Sequence, residues 1–206
     1  MSIANYFTFV RLIISPVFLL VYTYRDSIDI SPSTLPYILL ILLAISELSD
    51  ACDGYFARLY NQVTDFGKIL DPMADSIARI TIFLTFTQAP VNLPVPLIFV
   101  FLYRDSVVST LRTICALKGL ALAARTSGKV KAVIQGASAC SILLLMISYT
   151  QGNITLEVLQ TTSAWIVGMA AVYTLFSGID YIYSNRQYIA RLLALQGNVS
   201  RLAEEE

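Results

Sequence analysis

Two pairs of aspartates are spaced so that the members of each pair could act together. Asp50 and Asp53 are three positions apart, and Asp71 and Asp75 are four apart. On an α-helix, either spacing places both side chains on one face. Each pair lies beside or within an apolar stretch, where an unpaired carboxylate is costly and is expected to face an interior cavity with a partner. The alternative is that the pairs mark two helix ends and are solvated or paired with Arg58 and Lys68.

Carboxylates that converge from two helices would supply oxygen ligands for a hard divalent cation. Such ligands suit Mg²⁺, Mn²⁺ or Ca²⁺ better than Zn²⁺, and a magnesium site leaves positions open for water and substrate phosphate. The residues after the first pair suit a phosphate: Gly54 permits close approach, Ala57 is small, and Arg58 could form two parallel hydrogen bonds with it. We therefore predict a metal site beside a phosphate site.

A second group of charged residues is basic and lies later in the chain. Its members are Arg104, Arg112, Lys129 and Lys131. The two arginines are eight positions apart, so they share a helix face after about two turns. Asp105 could neutralise one of them, but four cations exceed one carboxylate, which predicts a pocket for a phosphate-bearing molecule. The alternative is that they bind anionic headgroups, which fits Lys118 and Arg125 better than arginines inside a span.

The composition is that of a membrane protein. The chain has 206 residues, of which 56% are hydrophobic and 14% charged, and its mean hydropathy is +0.68. The formal net charge is zero, so nothing indicates nucleic-acid binding. The three cysteines have neither metal-site nor disulfide spacing. Because there is no histidine, a catalytic base has to be a carboxylate, a tyrosine or a lysine.

Six apolar segments approach or exceed the roughly 20 residues that cross a bilayer. They cover residues 7–24, 36–57, 67–86, 97–117, 132–149 and 156–183. We therefore predict an all-α, polytopic membrane protein of six transmembrane helices with short loops. Residues 1–186 form a single domain, and residues 187–206 form an amphipathic cytoplasmic tail. The first segment lacks the features of a cleaved signal peptide and is expected to be a permanent helix.

The loops determine where the charged residues lie relative to the membrane. A short turn containing Asp65 makes the second and third helices antiparallel neighbours, so both aspartate pairs lie at one membrane face. Most basic residues lie on that side, which the positive-inside rule makes cytoplasmic. Arg11 has two interpretations: it extends to the headgroups, or it faces the site together with Asn5 and Thr8.

The whole stretch from Asp50 to Asp75 has the pattern D-x2-D-G-x2-A-R-x8-G-x3-D-x3-D. This pattern resembles the signature of the CDP-alcohol phosphotransferases, integral membrane enzymes that make phospholipids. Eight positions match at fixed spacing: Asp50, Asp53, Gly54, Ala57, Arg58, Gly67, Asp71 and Asp75. The N-x2-T-x2-R opening and the stretches YRDSVVSTLR, GKVKAVIQ and SGIDYIY are similar to segments of the bacterial phosphatidylglycerophosphate synthase branch.

The resemblance implies transfer of a phosphatidyl group from CDP-diacylglycerol to sn-glycerol 3-phosphate, giving phosphatidylglycerol phosphate and CMP. It implies two Mg²⁺ or Mn²⁺ ions at Asp50, Asp53, Asp71 and Asp75, with Asp75 also the base. The implied CDP-diacylglycerol-binding residues are Asp53, Gly54, Ala57, Arg58 and Gly67. The implied acceptor phosphate-binding residues are Arg104, Arg112, Lys129, Lys131 and Tyr181. It further implies a homodimer in the inner membrane of a bacterium.

Some features leave the acceptor and the class of function open. Ser76 stands where this branch often has lysine, and Arg79 one turn later could substitute for that lysine. The same chemistry could use inositol phosphate as acceptor, or phosphatidylglycerol as in a cardiolipin synthase. A cation transporter is a remote alternative, because carboxylates within the membrane also line ion paths. It predicts acidic residues along the membrane depth, whereas the sequence groups them near one face.

Overall fold

The structure, a computed structural model, describes residues 3–59, 65–117 and 125–189, and among these the side chains of residues 6–52, 70–115 and 125–189. The described chain is helical and contains no β-strand. Its long helices are α1 (Ile3–Thr23), α2 (Leu35–Leu59), α3 (Asp65–Thr85), α4 (Val95–Leu117), α5 (Thr126–Thr150) and α6 (Leu156–Ser184). Residues 186–189 form one further helical turn. The predicted tail therefore lies mostly outside the described residues.

Four helices are long and apolar enough to cross a membrane. The qualifying segments are Tyr6–Thr23 of α1, Leu35–Cys52 of α2, Thr126–Thr150 (α5) and Leu156–Ser184 (α6). Helices α3 and α4 have sufficient length but carry several charged residues each, among them Asp71, Asp75, Arg104 and Arg112. The all-α prediction is therefore confirmed, whereas composition supports four spans rather than six.

The largest difference from the predicted helix boundaries is at α5. The predicted fifth segment begins at residue 132, which leaves residues 118–131 as a loop, but α5 begins at Thr126 and includes Lys129 and Lys131. The polar character of this segment suggested a loop, whereas Lys131 is buried against a carboxylate of α4. Tertiary pairing thus extends α5 beyond its apolar part.

The helices pack so that their polar and apolar ends are separated. Helix α3 contacts α1, α4 and α5, while α6 contacts α4 and α5, and α2 contacts α1 and α5. At one end of the bundle Phe18, Tyr22 and Phe83 surround Phe86, with ring centroids 6.0–6.5 Å from it. Edge-to-face contacts of this kind stabilise a buried core. The charged residues singled out by the sequence lie toward the opposite end.

Candidate active site

The first part of the site is a group of carboxylates from α2 and α3 that α1 holds in place. Thr8 Oγ1 donates a hydrogen bond of 2.8 Å to Asp71 Oδ1. Arg11 Nη1 lies 2.7 Å from Asp50 Oδ1 and 3.6 Å from Asp75 Oδ1. One guanidinium therefore contacts carboxylates of both helices, which brings the two aspartate-bearing helices to a common point.

These contacts decide between the two interpretations of Arg11. Its side chain is only 2% exposed, so it does not extend to the headgroups. It faces the site, as does Thr8, which is fully buried. The charge of Arg11 is tolerated there because two carboxylates surround it, as expected for an ionisable residue within a membrane helix. The side chain of Asn5 lies outside the described residues.

The predicted CDP-diacylglycerol-binding residues also lie outside the side chains that the structure describes. They are Asp53, Gly54, Ala57, Arg58 and Gly67. The first four belong to the last turns of α2 and Gly67 to the first turn of α3. Residues 60–64, between these two helices, are outside the described chain, so the nucleotide end of the site stays a prediction.

The described carboxylates suit a hard cation by their chemistry. Asp50, Asp71 and Asp75 offer only oxygen ligands, come from α2 and α3, and have side chains that are not fully buried. Among the described side chains, no three acidic, cysteine or histidine residues are close enough together to hold a metal ion, and Arg11 lies between Asp50 and Asp75. The metal site, which would also use Asp53, therefore stays a prediction.

The branch that this sequence resembles often has a lysine where this chain has Ser76. Arg79 does not substitute for that lysine. Its Nε lies 3.3 Å from Asp75 Oδ1, and its Nη1 lies 3.4 Å from Glu47 Oε1. Nη1 also donates a 2.9 Å hydrogen bond to the carbonyl of Ala132. Ser76 lines the neighbouring cavity, whereas Arg79 does not. That suggested substitution was wrong, because the two carboxylates draw the guanidinium toward α2 and α5.

The second part of the site is a cavity of about 260 Å³ beside the carboxylates. Its lining includes every predicted acceptor-binding residue, namely Arg104, Arg112, Lys129, Lys131 and Tyr181. Asp75 and Ser76 of α3 form part of the same wall. Together these residues span more than 100 positions of the sequence, and the fold brings them to one cavity.

Asp105 holds two of the cavity's cations rather than the one expected. Lys131 Nζ donates to both carboxylate oxygens at 2.9 Å, and Arg104 Nη1 donates to Oδ1 at 3.0 Å. Within the described part of the chain, Arg112 and Lys129 have no ion-pair partner. The cavity thus keeps excess positive charge at its wall, which favours an anionic ligand.

Two residues near the cavity have roles that the sequence did not reveal. Ser177 Oγ accepts a 2.7 Å hydrogen bond from Arg104 Nη2. Arg125, for which the sequence favoured headgroup binding, lines the cavity and lies 2.8 Å from Asp180 Oδ1. Ser177 lies in the SGIDYIY stretch, so that stretch was the available signal. For Arg125 the spacing gave none, because Asp180 is 55 positions away.

Two buried polar atoms at the cavity lack a hydrogen-bond partner among the described residues: Arg104 Nε and the hydroxyl of Tyr181. Tyr181 is only 2% exposed. Buried polar groups are nearly always satisfied, so these atoms suit the polar groups of a bound ligand.

Replacing Gly178 by alanine is expected to lower kcat/KM for the acceptor about tenfold, since one charge-assisted hydrogen bond contributes about 1.5–3 kcal/mol. A Cβ there would lie 3.0 Å from Arg104 Cγ, so the side chain that reaches Ser177 and Asp105 has to move. Steady-state kinetics in detergent would measure the effect.

Gly168→Ala is the matched control in the same helix, because no atom lies within 4 Å of its added Cβ. It should leave kcat/KM unchanged, and alanine favours the helix by about 0.5–1 kcal/mol. Equal kinetics for both variants would contradict the inferred role of Gly178.

Fold and site together define a helical membrane protein with carboxylates and a basic cavity at one end of its bundle. The chain belongs to the CDP-alcohol phosphatidyltransferase family, whose model matches residues 1–176, and it is an integral membrane protein. It is similar to the CDP-diacylglycerol–glycerol-3-phosphate 3-phosphatidyltransferase of Rickettsia typhi, with 32% identity over 189 residues, which cover 91% of this chain and 98% of the relative. The enzyme of the same name from Bacillus subtilis is 29% identical over 194 residues, covering 89% and 95%.

Proposed function

We propose that this protein transfers a phosphatidyl group from CDP-diacylglycerol to sn-glycerol 3-phosphate, giving phosphatidylglycerol phosphate and CMP. The observation that carries the proposal is one cavity in which five basic side chains and Tyr181 lie beside Asp75. A phosphate-bearing acceptor would satisfy the excess positive charge there, and an acceptor without a phosphate would not require it. The names of the Rickettsia and Bacillus relatives support the same acceptor.

The residues of the cavity would hold the acceptor and remove its proton. Arg112 and Lys129 are available for the acceptor phosphate, while Arg104 and Lys131 are positioned by Asp105. The acceptor hydroxyl attacks the lipid-side phosphorus, and Asp75 takes its proton. A carboxylate with a reference pKa of about 3.9 is a weak base, but phosphoryl transfer depends mainly on positioning and electrostatics.

The lipid substrate would bind at the neighbouring carboxylates. Asp50, Asp53, Asp71 and Asp75 would hold Mg²⁺ or Mn²⁺, which when bound neutralises the charge of the pyrophosphate and of the departing CMP. Gly54, Ala57, Arg58 and Gly67 would receive the nucleotide end. These residues come from α2 and α3, the helices that also carry Glu47 and Arg79.

We further propose that all six long helices cross the inner membrane, with the site facing the cytoplasm, and that the protein is a homodimer. Helices α3 and α4 have 21 and 23 residues, which is sufficient for a bilayer, and four of their charged residues, Asp75, Arg79, Arg104 and Asp105, pair within the bundle. The positive-inside rule supports the orientation, and family membership supports the dimer.

The proposal is tested by CMP release from purified protein in detergent with CDP-diacylglycerol and Mg²⁺. Parallel reactions contain glycerol 3-phosphate, inositol phosphate, phosphatidylglycerol or no acceptor. We expect CMP only with glycerol 3-phosphate. Release with another acceptor would refute our assignment of the basic cavity. No release from folded protein with any acceptor would refute the proposed reaction.

A further inference from the structure

Arg79 is the residue at which three helices meet beneath the site. It belongs to α3, its guanidinium contacts Glu47 of α2 at 3.4 Å, and it donates to the carbonyl of Ala132 in α5 at 2.9 Å. Its side chain is only 7% exposed. A guanidinium buried to this extent and bound on three sides has a fixed position. The family signature contains neither Arg79 nor Glu47.

The two arginines near Asp75 make their closest contact with the same oxygen. Arg79 Nε lies 3.3 Å and Arg11 Nη1 3.6 Å from Asp75 Oδ1. Within the described residues, the only hydrogen bond to this carboxylate also goes to Oδ1. Oδ2 is therefore the oxygen left for the cavity, which Asp75 lines. Two cations on one oxygen fix the orientation of the carboxylate.

Glu47 in turn holds Arg79. Its carboxylate packs against α5 at Gly136, where an added Cβ would lie 3.4 Å from the carboxylate atoms. Because Gly136 lacks a side chain, Glu47 approaches the α5 backbone near the carbonyl of Ala132 that accepts from Arg79. Glu47 and Arg79 thus form a connected pair rather than an isolated ion pair.

From these contacts we infer that Arg79, held by Glu47, is a positioning residue for Asp75: it binds Oδ1 and leaves Oδ2 on the cavity side, where Oδ2 would contact a bound metal ion and meet the acceptor hydroxyl. This inference rests on the proposed function, in which Asp75 takes the acceptor's proton. It assigns a role to two residues outside the signature. It also explains why Arg79 does not bind the acceptor phosphate, although Ser76 replaces the lysine found in related enzymes.

The test compares Arg79→Gln, Arg79→Lys and Glu47→Gln with the wild-type protein. In Arg79→Gln we expect kcat for CMP release to fall about 10- to 30-fold, because misorientation of a reacting group has a cost of this order. The KM for glycerol 3-phosphate should not change. Arg79→Lys keeps the charge but not the planar fork, so it should recover part of kcat, and Glu47→Gln should show a smaller fall than Arg79→Gln.

A second measurement does not depend on turnover. Mn²⁺ binding to the protein without lipid substrate, followed by electron paramagnetic resonance, should not weaken in Arg79→Gln, because a cation beside the carboxylates has been removed. It should weaken in Glu47→Gln, which removes an anion. Weaker Mn²⁺ binding in Arg79→Gln would show general loss of the carboxylate site and overturn the positioning role.

Arg25→Gln is the matched control, because Arg25 also donates to a backbone carbonyl, that of Ala89 at 3.0 Å, and lies 3.7 Å from an acid, Asp26. Arg25 lies at the opposite end of the bundle, so the kinetics of Arg25→Gln should match wild type.

A raised KM with unchanged kcat in Arg79→Gln would make Arg79 an acceptor ligand. A lower melting temperature with full kcat per folded molecule would make it a packing residue. Either result overturns the inference.

The kinetics are measured with whichever acceptor the wild-type protein uses. Failure of glycerol 3-phosphate as acceptor therefore refutes the proposed function without deciding the role of Arg79. Unchanged kcat in Glu47→Gln would remove Glu47 from the inference.

Discussion

Replacing Asp75 by asparagine is expected to lower CMP release about 10²- to 10⁴-fold, the contribution typical of a general base. Asparagine preserves the shape of the side chain but cannot accept the proton of the acceptor hydroxyl. Binding of CDP-diacylglycerol should be largely retained, because the nucleotide end is expected at other residues of α2 and α3. Turnover and lipid binding are measured on the same purified protein in detergent.

The fold should tolerate Asp75→Asn, since each neighbouring arginine keeps another carboxylate. Arg11 retains Asp50 at 2.7 Å, and Arg79 retains Glu47 at 3.4 Å. Removing the charge of Asp75 therefore leaves no buried guanidinium without a partner, which is the situation that destabilises most. Asp26→Asn, an exposed aspartate at the other end, is the control and should have wild-type kinetics. Wild-type CMP release by Asp75→Asn would exclude Asp75 as the base.

The double variant Arg112→Gln/Lys129→Gln removes the two cavity cations that lack a partner among the described residues. We expect the KM for glycerol 3-phosphate to rise about 100-fold or more, since each charge-assisted hydrogen bond contributes about 1.5–3 kcal/mol. The value of kcat should change less, because the acceptor phosphate is bound equally in the ground and transition states. Steady-state kinetics with varied glycerol 3-phosphate measure both constants.

The pairing pattern makes these two cations the clearest test of the cavity. Substituting Lys131 would disturb Asp105, which it contacts at 2.9 Å, so stability and binding would change together. Arg112 and Lys129 have no such partner among the described residues, so replacing them leaves no described carboxylate without its ion-pair partner. Arg186→Gln is the control for general attraction of anions: Arg186 stacks on Tyr183 at 4.3 Å and is not among the cavity-lining residues. An unchanged KM in the double variant would refute the acceptor site.

The sequence by itself determined the features that depend on local spacing. Positions three and four apart share a helix face, so spacing alone was sufficient to place the aspartate pairs on helices. Hydropathy over about 20 residues indicated the helical membrane character. The grouping of Arg104, Arg112, Lys129 and Lys131 was also predicted, and the structure places all four at one cavity.

Only the tertiary structure decided which charged residues are partners. Thr8 and Asp71 are 63 positions apart, and Arg79 and Ala132 are 53 apart, so no local pattern links them. The sequence left Arg11 with two interpretations, matched Asp105 with one cation rather than two, and left open whether Arg79 substitutes for a lysine at position 76. A long, flexible basic side chain can reach several carboxylates, and the one it contacts depends on which helices pack beside it and how deeply they bury its charge.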